Sequence, residues 1–301
     1  MRDADPETAR KACSWSALFA LHSGDAECAT DILRRLDPPV SIATAPDLWH
    51  AIIRASAAID IDPAAAVGAA RDALNACDAL GDQGRDLLGY ALGTYGRALL
   101  HVSRAIDALE PLSAAVEHHA RNLPREEARS RVYYATALRR AGRPEDALEV
   151  AKEGLRLVRN VYPDWAVSQT TSLFLHLEIG RVLLALGRPD EAMAAFDVAR
   201  AGQRRDHDYP RLSAIRGIAE AARRLGDSRR EREAVESILR VAGETTGTIQ
   251  RVAAIGVGEA LLRGPLDGGP TQRELVDTWS RIFELAPDPG SVARLAECLV
   301  Y

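Results

Sequence analysis

The stretch Gly142-Arg143-Pro144-Glu145-Asp146-Ala147 recurs 45 residues later, almost unchanged, as Gly187-Arg188-Pro189-Asp190-Glu191-Ala192. Each copy has the composition of a turn between two helices, because glycine adopts the left-handed conformation that ends a helix and proline suits the first turn of the next one. The paired acids favour the positive start of that helix, and the alanine lets two helices approach closely. The recurrence predicts an all-α chain of repeated helical hairpins.

Weaker copies of this turn follow one another at a spacing of roughly forty residues, so each unit has room for two helices. In the clearest unit, apolar periodicity predicts helix A from about Leu173 to Leu186 and helix B from Pro189 to about Arg200. The small residue expected early in successive B helices is Ala29, Ala66, Ala105, Ala147 and Ala192, with Glu231 in that place in the last copy.

The residues Gly180, Gly187, Ala192, Phe196 and Ala199 form a pattern that resembles the tetratricopeptide repeat (TPR) family. The unit with Ala135, Gly142, Ala147 and Leu155 matches in part, and Leu92-Gly93 with Ala105 is a third partial match. The resemblance implies an α-solenoid of about six to seven TPR-like helical hairpins, which we expect over residues 1–263.

The tail has a different pattern. Residues 264–270 are rich in glycine and proline and predict a loop, after which Thr271 can cap a helix that ends near Leu285. A last helix is expected from Ser291. We interpret residues 264–301 as a C-terminal capping helix pair that covers the last repeat. An alternative is that residues 271–301 form a partner or oligomer contact.

Composition narrows the classes of function. The chain has 38 basic and 43 acidic residues and a net charge of -5, which argues against a protein that coats nucleic acid. No segment is apolar enough to span a membrane, and the N-terminus lacks the apolar region of a secretory signal. The four scattered cysteines indicate free thiols in a reducing compartment. We therefore predict a cytoplasmic protein, and the high arginine and alanine content is typical of a GC-rich bacterial genome.

In the TPR family the A helices line an inner surface that holds peptides. The resemblance places several positions of this chain on that surface, and arginine recurs among them. Its planar guanidinium suits carboxylate or phosphate groups. The predicted partner is therefore a peptide or protein with an anionic segment; the alternative is that these arginines are ordinary solvated residues. The predicted ligand-binding residues are Tyr90, Thr94, Arg97, Thr136, Arg139, Arg140, Phe174, Arg181, Arg216 and Arg223.

Signals for catalysis or metal binding are weak. Asp206-His207-Asp208-Tyr209 falls in an expected loop, and His118 and His119 point about 100° apart on a helix. No nucleophile, phosphate-binding or zinc-binding motif is present. We predict no catalytic residue, metal or cofactor, and by analogy a regulatory sensor or partner domain. The alternative function is an enzyme or biosynthetic accessory protein with a small-molecule pocket near Tyr90, Arg97, Thr136 and Phe174.

Overall fold

The computed structural model describes residues 6–22, 26–35, 41–161, 166–201 and 208–244. In these ranges the chain folds into helices connected by short turns, which confirms the all-α prediction. The helices are α1 (Pro6–His22), α2 (Ala26–Arg34), α3 (Ala45–Ala58), α4 (Pro63–Ala79), α5 (Asp82–Arg85), α6 (Leu88–His101), α7 (Leu109–Asn122), α8 (Pro124–Arg140), α9 (Pro144–Val161), α10 (Ala166–Ala185), α11 (Pro189–Ala201), α12 (Asp208–Leu225) and α13 (Ser228–Glu244).

These helices form successive hairpins: α1 with α2, α3 with α4, α6 with α7, α8 with α9, α10 with α11, and α12 with α13. The one-turn helix α5 lies between α4 and α6. Within the described part of the chain this makes six hairpins, at the lower end of the predicted number. The expected helices from Leu173 to Leu186 and from Pro189 to Arg200 are found as the C-terminal part of α10 and as α11.

Both copies of the hexapeptide form the predicted turn. Gly142 and Gly187 have φ values of 80° and 71°, and Gly226 repeats this conformation with a φ of 72°. The amide of the next residue then donates to the carbonyl five residues earlier: Arg143 N lies 2.9 Å from Leu138 O, and Arg188 N lies 2.9 Å from Leu183 O. This is the Schellman arrangement, which closes the end of a helix.

The turn between α6 and α7 has the same geometry without a glycine. Ser103 has a φ of 61°, and Arg104 N donates to Leu99 O at 2.9 Å. The small residue five positions after this turn residue is Ala108, which is fully buried. The sequence prediction of Ala105 was therefore wrong by three residues, because this turn lacks the glycine and proline that mark the others.

The glycine predicted at the close approach of α6 and α7 is also three residues away from the observed one. A Cβ atom on Gly96 would lie 2.4 Å from Leu112 Cγ of α7, whereas one on Gly93 would lie 4.0 Å from its nearest neighbour, Ala115 Cβ. Gly96 is therefore the position at which the two helices approach closely, and the prediction of Leu92-Gly93 is corrected to Gly96.

Gly180 lies in α10 at a position where the neighbouring helix packs closely. A Cβ atom on Gly180 would lie 2.5 Å from Phe196 Cε1, and one on Gly217 of α12 would lie 2.4 Å from Phe196 Cζ. The phenyl ring is fully buried and fills the space that these two glycines leave open.

The chain divides into two compact units, residues 1–178 and 179–301. In the first, apolar side chains pack between the A and B helices, with Leu48 and Ile52 against Ala73 and Leu99 against Leu112. The predicted cap at residues 264–301 lies outside the described residues. None of the described helices combines the length and the apolar character that a membrane crossing requires.

Candidate functional site

In the first unit, the A helices α3 and α6 run side by side in the same direction. The rings of Trp49 and Tyr90 lie 5.2 Å apart, and Arg97 Nη1 donates to Ser56 Oγ at 3.0 Å. The two residues of each pair are 41 positions apart along the chain. Because Trp49 and Ser56 are two helical turns apart, as are Tyr90 and Arg97, each helix presents both of its residues on one face.

The A helix α8 continues this layer beyond α6. The guanidinium of Arg97 lies 4.8 Å from the centre of the Tyr133 ring, and Arg140 Nη1 donates to Leu100 O at 2.9 Å. Arg129 forms a hydrogen bond with Tyr133. We call the surface formed by Trp49, Ser56, Tyr90, Arg97, Arg129 and Tyr133 the A-helix face.

The A-helix face is electropositive around Tyr133. Burial alone raises the pKa of this phenol, but the charges of Arg97 and Arg129 outweigh burial and hold the pKa below its usual value. At the other end of α6, burial raises the pKa of Tyr90 to about 12. Tyr90 is therefore a neutral phenol near neutral pH, and the positive charge of the face is concentrated toward Arg97.

Arg97 has neutral partners. Its Nη1 donates to a serine hydroxyl, its Cζ lies over a tyrosine ring, and its Nε is buried without a hydrogen-bond acceptor in the described structure. The neighbouring carboxylate of Asp60 lies 3.8 Å from His101. Within the described ranges, no carboxylate forms an ion pair with Arg97, so an anionic ligand would meet an uncompensated guanidinium there.

Two other predicted arginines bind carboxylates of the chain itself. Arg139 Nε lies 2.5 Å from Glu178 Oε1, and Arg223 Nη2 lies 2.7 Å from Glu231 Oε1. Glu231 occupies the place that alanine has in the other copies of the turn and is 5% exposed. The sequence singled out this glutamate as a departure from the pattern, and the structure gives its reason, which is the ion pair with Arg223.

Arg140 illustrates a contact that repeats along the chain. It donates to the backbone of the A helix one repeat earlier, and in the second unit Arg224 Nη1 donates in the same way to Leu184 O at 2.5 Å. In both cases the arginine is the final or penultimate residue of its helix and the two residues are 40 positions apart. These guanidiniums join neighbouring repeats.

The other predicted site residues occupy varied environments. Thr94 is buried on α6, and the hydroxyl of Thr136 donates to Val132 O at 2.9 Å within α8. Phe174 is half-buried on the part of α10 that belongs to the first unit. Arg181 and Arg216 are half-buried in the second unit, as is Arg223. The structure thus brings Tyr90 and Arg97 together on one face of the first unit, near Thr136 and Arg140 of the adjacent helix.

Sequence reasoning missed the aromatic residues beside Tyr90. Trp15 of α1 lies 5.6 Å from Trp49, measured between ring centres, so Trp15, Trp49 and Tyr90 form a continuous row across three A helices. Trp15 is 62% exposed, and Phe19, one turn further along α1, is 76% exposed. The signal that could have revealed the row is the spacing between Trp49 and Tyr90, which is one repeat.

The histidine pair of α7 lies behind this row. His119 is buried against Tyr90, and its Nδ1 lies 2.8 Å from Ser130 Oγ. Burial, aided by the positive charges of His118 and Arg129, lowers the pKa of His119 to about 4. In the described part of the chain, no three His, Cys, Asp or Glu side chains come together as a metal site. Of the weak candidate Asp206-His207-Asp208-Tyr209, the first two residues lie outside the described residues, and the last two begin helix α12 instead of lying in the expected loop.

Comparisons with known proteins place the fold. No protein-family model matches the chain, and no curated protein matches it. Among solved structures, a Rap protein complexed with competence and sporulation factor has a TM-score of 0.64 and 13% sequence identity, covering 90% of this chain and 77% of that chain.

Two further structures give the same result. The apo quorum sensor NprR from B. thuringiensis has a TM-score of 0.61 and 12% identity, covering 99% of this chain and 86% of that chain. A tetratricopeptide repeat protein from Parabacteroides merdae has a TM-score of 0.56 and 11% identity, covering 98% of this chain and 100% of that chain. Together with the turn geometry, these likenesses show that the chain has a TPR-like helical repeat fold.

Proposed function

We propose that this protein binds a peptide or protein segment on the A-helix face and that Arg97 contacts an acidic group of that segment. The observation that carries the proposal is the environment of Arg97, a half-buried guanidinium whose partners are a hydroxyl and an aromatic ring. A carboxylate that reaches Arg97 can form charge-assisted hydrogen bonds, which are about twice as strong as neutral ones.

The other predicted arginines have a different part in this proposal. Arg139 and Arg223 already bind glutamates, and an incoming anion would have to displace those glutamates. Since the glutamates are nearly inaccessible to solvent, displacing either one would leave a buried carboxylate without its arginine partner. We therefore place the anionic contact at Arg97 and not at Arg139 or Arg223. Arg129, which bonds to the same tyrosine that Arg97 contacts, has its own carboxylate partner in Glu126, 3.8 Å away.

The structural neighbours support a peptide ligand. NprR has been solved in complex with its cognate peptide NprX, and that structure has a TM-score of 0.60 and 12% identity to this chain. We extend the proposal to a regulatory sensor or partner domain, because NprR is described as a quorum sensor. The free, buried thiols of Cys13 and Cys77 are in keeping with a cytosolic location.

The test is selection of short random peptides displayed on phage against the purified full chain, followed by titration of the selected peptides. The variant Arg97→Gln removes the charge, Arg97→Lys retains it without the planar fork, and Arg156→Gln is a control at an exposed arginine paired with Glu153. We expect Arg97→Gln to weaken binding about tenfold and to reduce its salt dependence, because one charge-assisted contact is lost.

The variants Arg97→Lys and Arg156→Gln serve as controls for charge and for a general loss of arginine. Arg97→Lys should bind with intermediate affinity, and Arg156→Gln should bind like the wild type. Failure to select any peptide, or equal affinity of the wild type and Arg97→Gln for every selected peptide, would contradict the proposal.

A further inference from the structure

The first helix presents two large apolar side chains to solvent. Trp15 and Phe19 are 62% and 76% exposed and lie four residues apart, so they share one side of α1. Exposed large aromatic side chains that lie together are uncommon on proteins that act alone, and they mark surfaces that contact a partner. Lys11, one turn before Trp15, is paired with Glu7.

This pair is connected to the A-helix face through stacked rings. Trp15 contacts Trp49 at a tilt of 48°, and Trp49 meets Tyr90 edge to face at 77°. Trp49 is 9% exposed, and its indole Nε1 has no hydrogen-bond partner in the described structure. A buried donor without an acceptor is rare in proteins, and a carbonyl group of a ligand could satisfy it. The row therefore joins an exposed apolar surface to a buried, unsatisfied polar atom.

We infer that Trp15, Phe19 and Trp49 receive an apolar side chain, aromatic or aliphatic, of the same peptide whose acidic group binds Arg97. This inference rests on the proposed function. It adds an apolar contact on the peptide to the acidic contact at Arg97. The ligand is then an extended segment with one apolar anchor and one carboxylate, and the rings supply the larger part of the buried apolar area.

The geometry of α6 sets the spacing between the two contacts. Tyr90, where the row of rings ends, and Arg97 are seven residues apart on one helical face, which corresponds to about 10 Å along the helix axis. An extended peptide advances about 3.3 Å per residue. The anchor itself lies further across the layer, since Trp49 is 5.2 Å from Tyr90 and Trp15 is another 5.6 Å from Trp49. The apolar anchor and the acidic residue of the ligand are therefore about three to five residues apart.

Charge favours this occupant over a contact between the α1 helices of two copies of the chain. The surface offers a positive group beside apolar rings, and a complementary partner presents a negative group beside an apolar one. Among the aromatic side chains that the structure describes, the largely exposed ones lie on α1 next to a balanced Lys11–Glu7 pair, so the α1 helix of a second copy does not supply that negative group.

The experiment uses the peptides selected on the full chain and the variants Trp15→Ser and Phe19→Ser. Both side chains are exposed, so the variants should fold, which thermal unfolding checks. The matched control is Ile106→Ser, which removes an apolar side chain that is 74% exposed in the turn between α6 and α7. We expect Trp15→Ser and Phe19→Ser each to weaken binding about tenfold and Ile106→Ser to leave it unchanged.

The peptides supply the complementary half of the test. Replacing their apolar anchor by serine should reduce affinity for the wild type and have little further effect on Trp15→Ser, since the two changes remove the same contact. Moving the anchor next to the acidic residue should weaken binding to a similar extent.

Three outcomes would overturn the inference. Selected peptides that depend on Arg97 but bind Trp15→Ser and Phe19→Ser with full affinity would refute the apolar contact and leave the proposed function intact. A concentration-dependent dimer that Trp15→Ser abolishes would assign the rings to a second copy of the chain. If no peptide is selected, the inference and the proposed function both fail.

Discussion

The carboxylate of Glu178 is bound by the guanidinium of Arg139, with Nε 2.5 Å from Oε1, and Glu178 is 1% exposed. The two residues are 39 positions apart, so this ion pair joins successive A helices. Removal of Arg139 leaves a buried carboxylate with one partner fewer. We predict that Arg139→Ala lowers the free energy of unfolding by about 2–4 kcal/mol, measured by urea denaturation.

The control for this prediction is the double variant Arg139→Leu with Glu178→Leu, which removes both charges. It should recover most of the lost stability, because the stranded carboxylate is gone. If Arg139→Ala is as stable as the wild type, the pair is not a structural contact and Arg139 returns to the list of ligand-binding candidates.

The close approach of Gly180 to Phe196 gives a second prediction. In Gly180→Ala, higher helix propensity favours the variant by about 1 kcal/mol, but the new methyl group overlaps a buried ring that Gly217 also approaches closely. We expect overpacking to dominate, with a net loss of about 1–2 kcal/mol in thermal or denaturant unfolding.

Gly68 on α4 is a matched control for Gly180. A Cβ atom there meets nothing within 4 Å, so Gly68→Ala gains helix propensity without a clash. It should be more stable than the wild type by about 0.5–1 kcal/mol. A stabilising Gly180→Ala would show that helices α10 and α11 are further apart than described.

The positive φ of Ser103 gives a third prediction. Relief of the left-handed strain is worth about 1–2 kcal/mol, and the greater backbone entropy of unfolded glycine offsets about 0.5–1 kcal/mol of that gain. Ser103→Gly should therefore raise the melting temperature slightly. Gly142→Ser, the reverse change in an equivalent turn, should lower it. Opposite signs in these two variants would be incompatible with the four turns sharing one conformation.

The buried His119 makes stability depend on pH. Its pKa of about 4 in the folded chain lies below the ordinary value of 6.5, so the unfolded state takes up a proton that the folded state does not. The contribution is fully present above pH 6.5, falls as the pH is lowered, and levels off below about pH 4. The full loss is about 3 kcal/mol.

His119→Gln should reduce this dependence, measured by urea denaturation at several pH values. Glutamine can still bond to Ser130 but does not titrate. Between pH 7 and pH 4 the variant should lose about 3 kcal/mol less than the wild type, although His50, His101 and His176 retain their own lowered pKa values. An unchanged pH dependence would refute the assignment.

Local sequence signals predicted the hairpins well, since the glycine and proline of the turns act within a few residues. The position of Ala108 was missed because Ser103 adopts the left-handed conformation, for which the sequence pattern relies on glycine. The role of Glu231 was also hidden, since the arginine that neutralises it lies on the preceding helix.

The candidate site depended on contacts between repeats and was less predictable. The sequence predicted the same ligand-binding role for Arg97 and Arg139. The two differ because Arg139 is bound by Glu178, which is 39 residues away along the chain. The row of Trp15, Trp49 and Tyr90 likewise depends on which faces of separate helices meet. These aromatic residues occur once in each helix, so they produce no periodic pattern that could be detected within a single helix.

The most direct test of the binding surface is photocrosslinking with a selected peptide whose apolar anchor is replaced by benzoylphenylalanine, followed by mass spectrometry of the digested complex. We expect crosslinks to α1, α3 and α6, near Trp15, Trp49 and Tyr90, and we expect excess unlabelled peptide to suppress them. Suppressible crosslinks confined to the B helices α4, α7 and α9 would contradict this expectation.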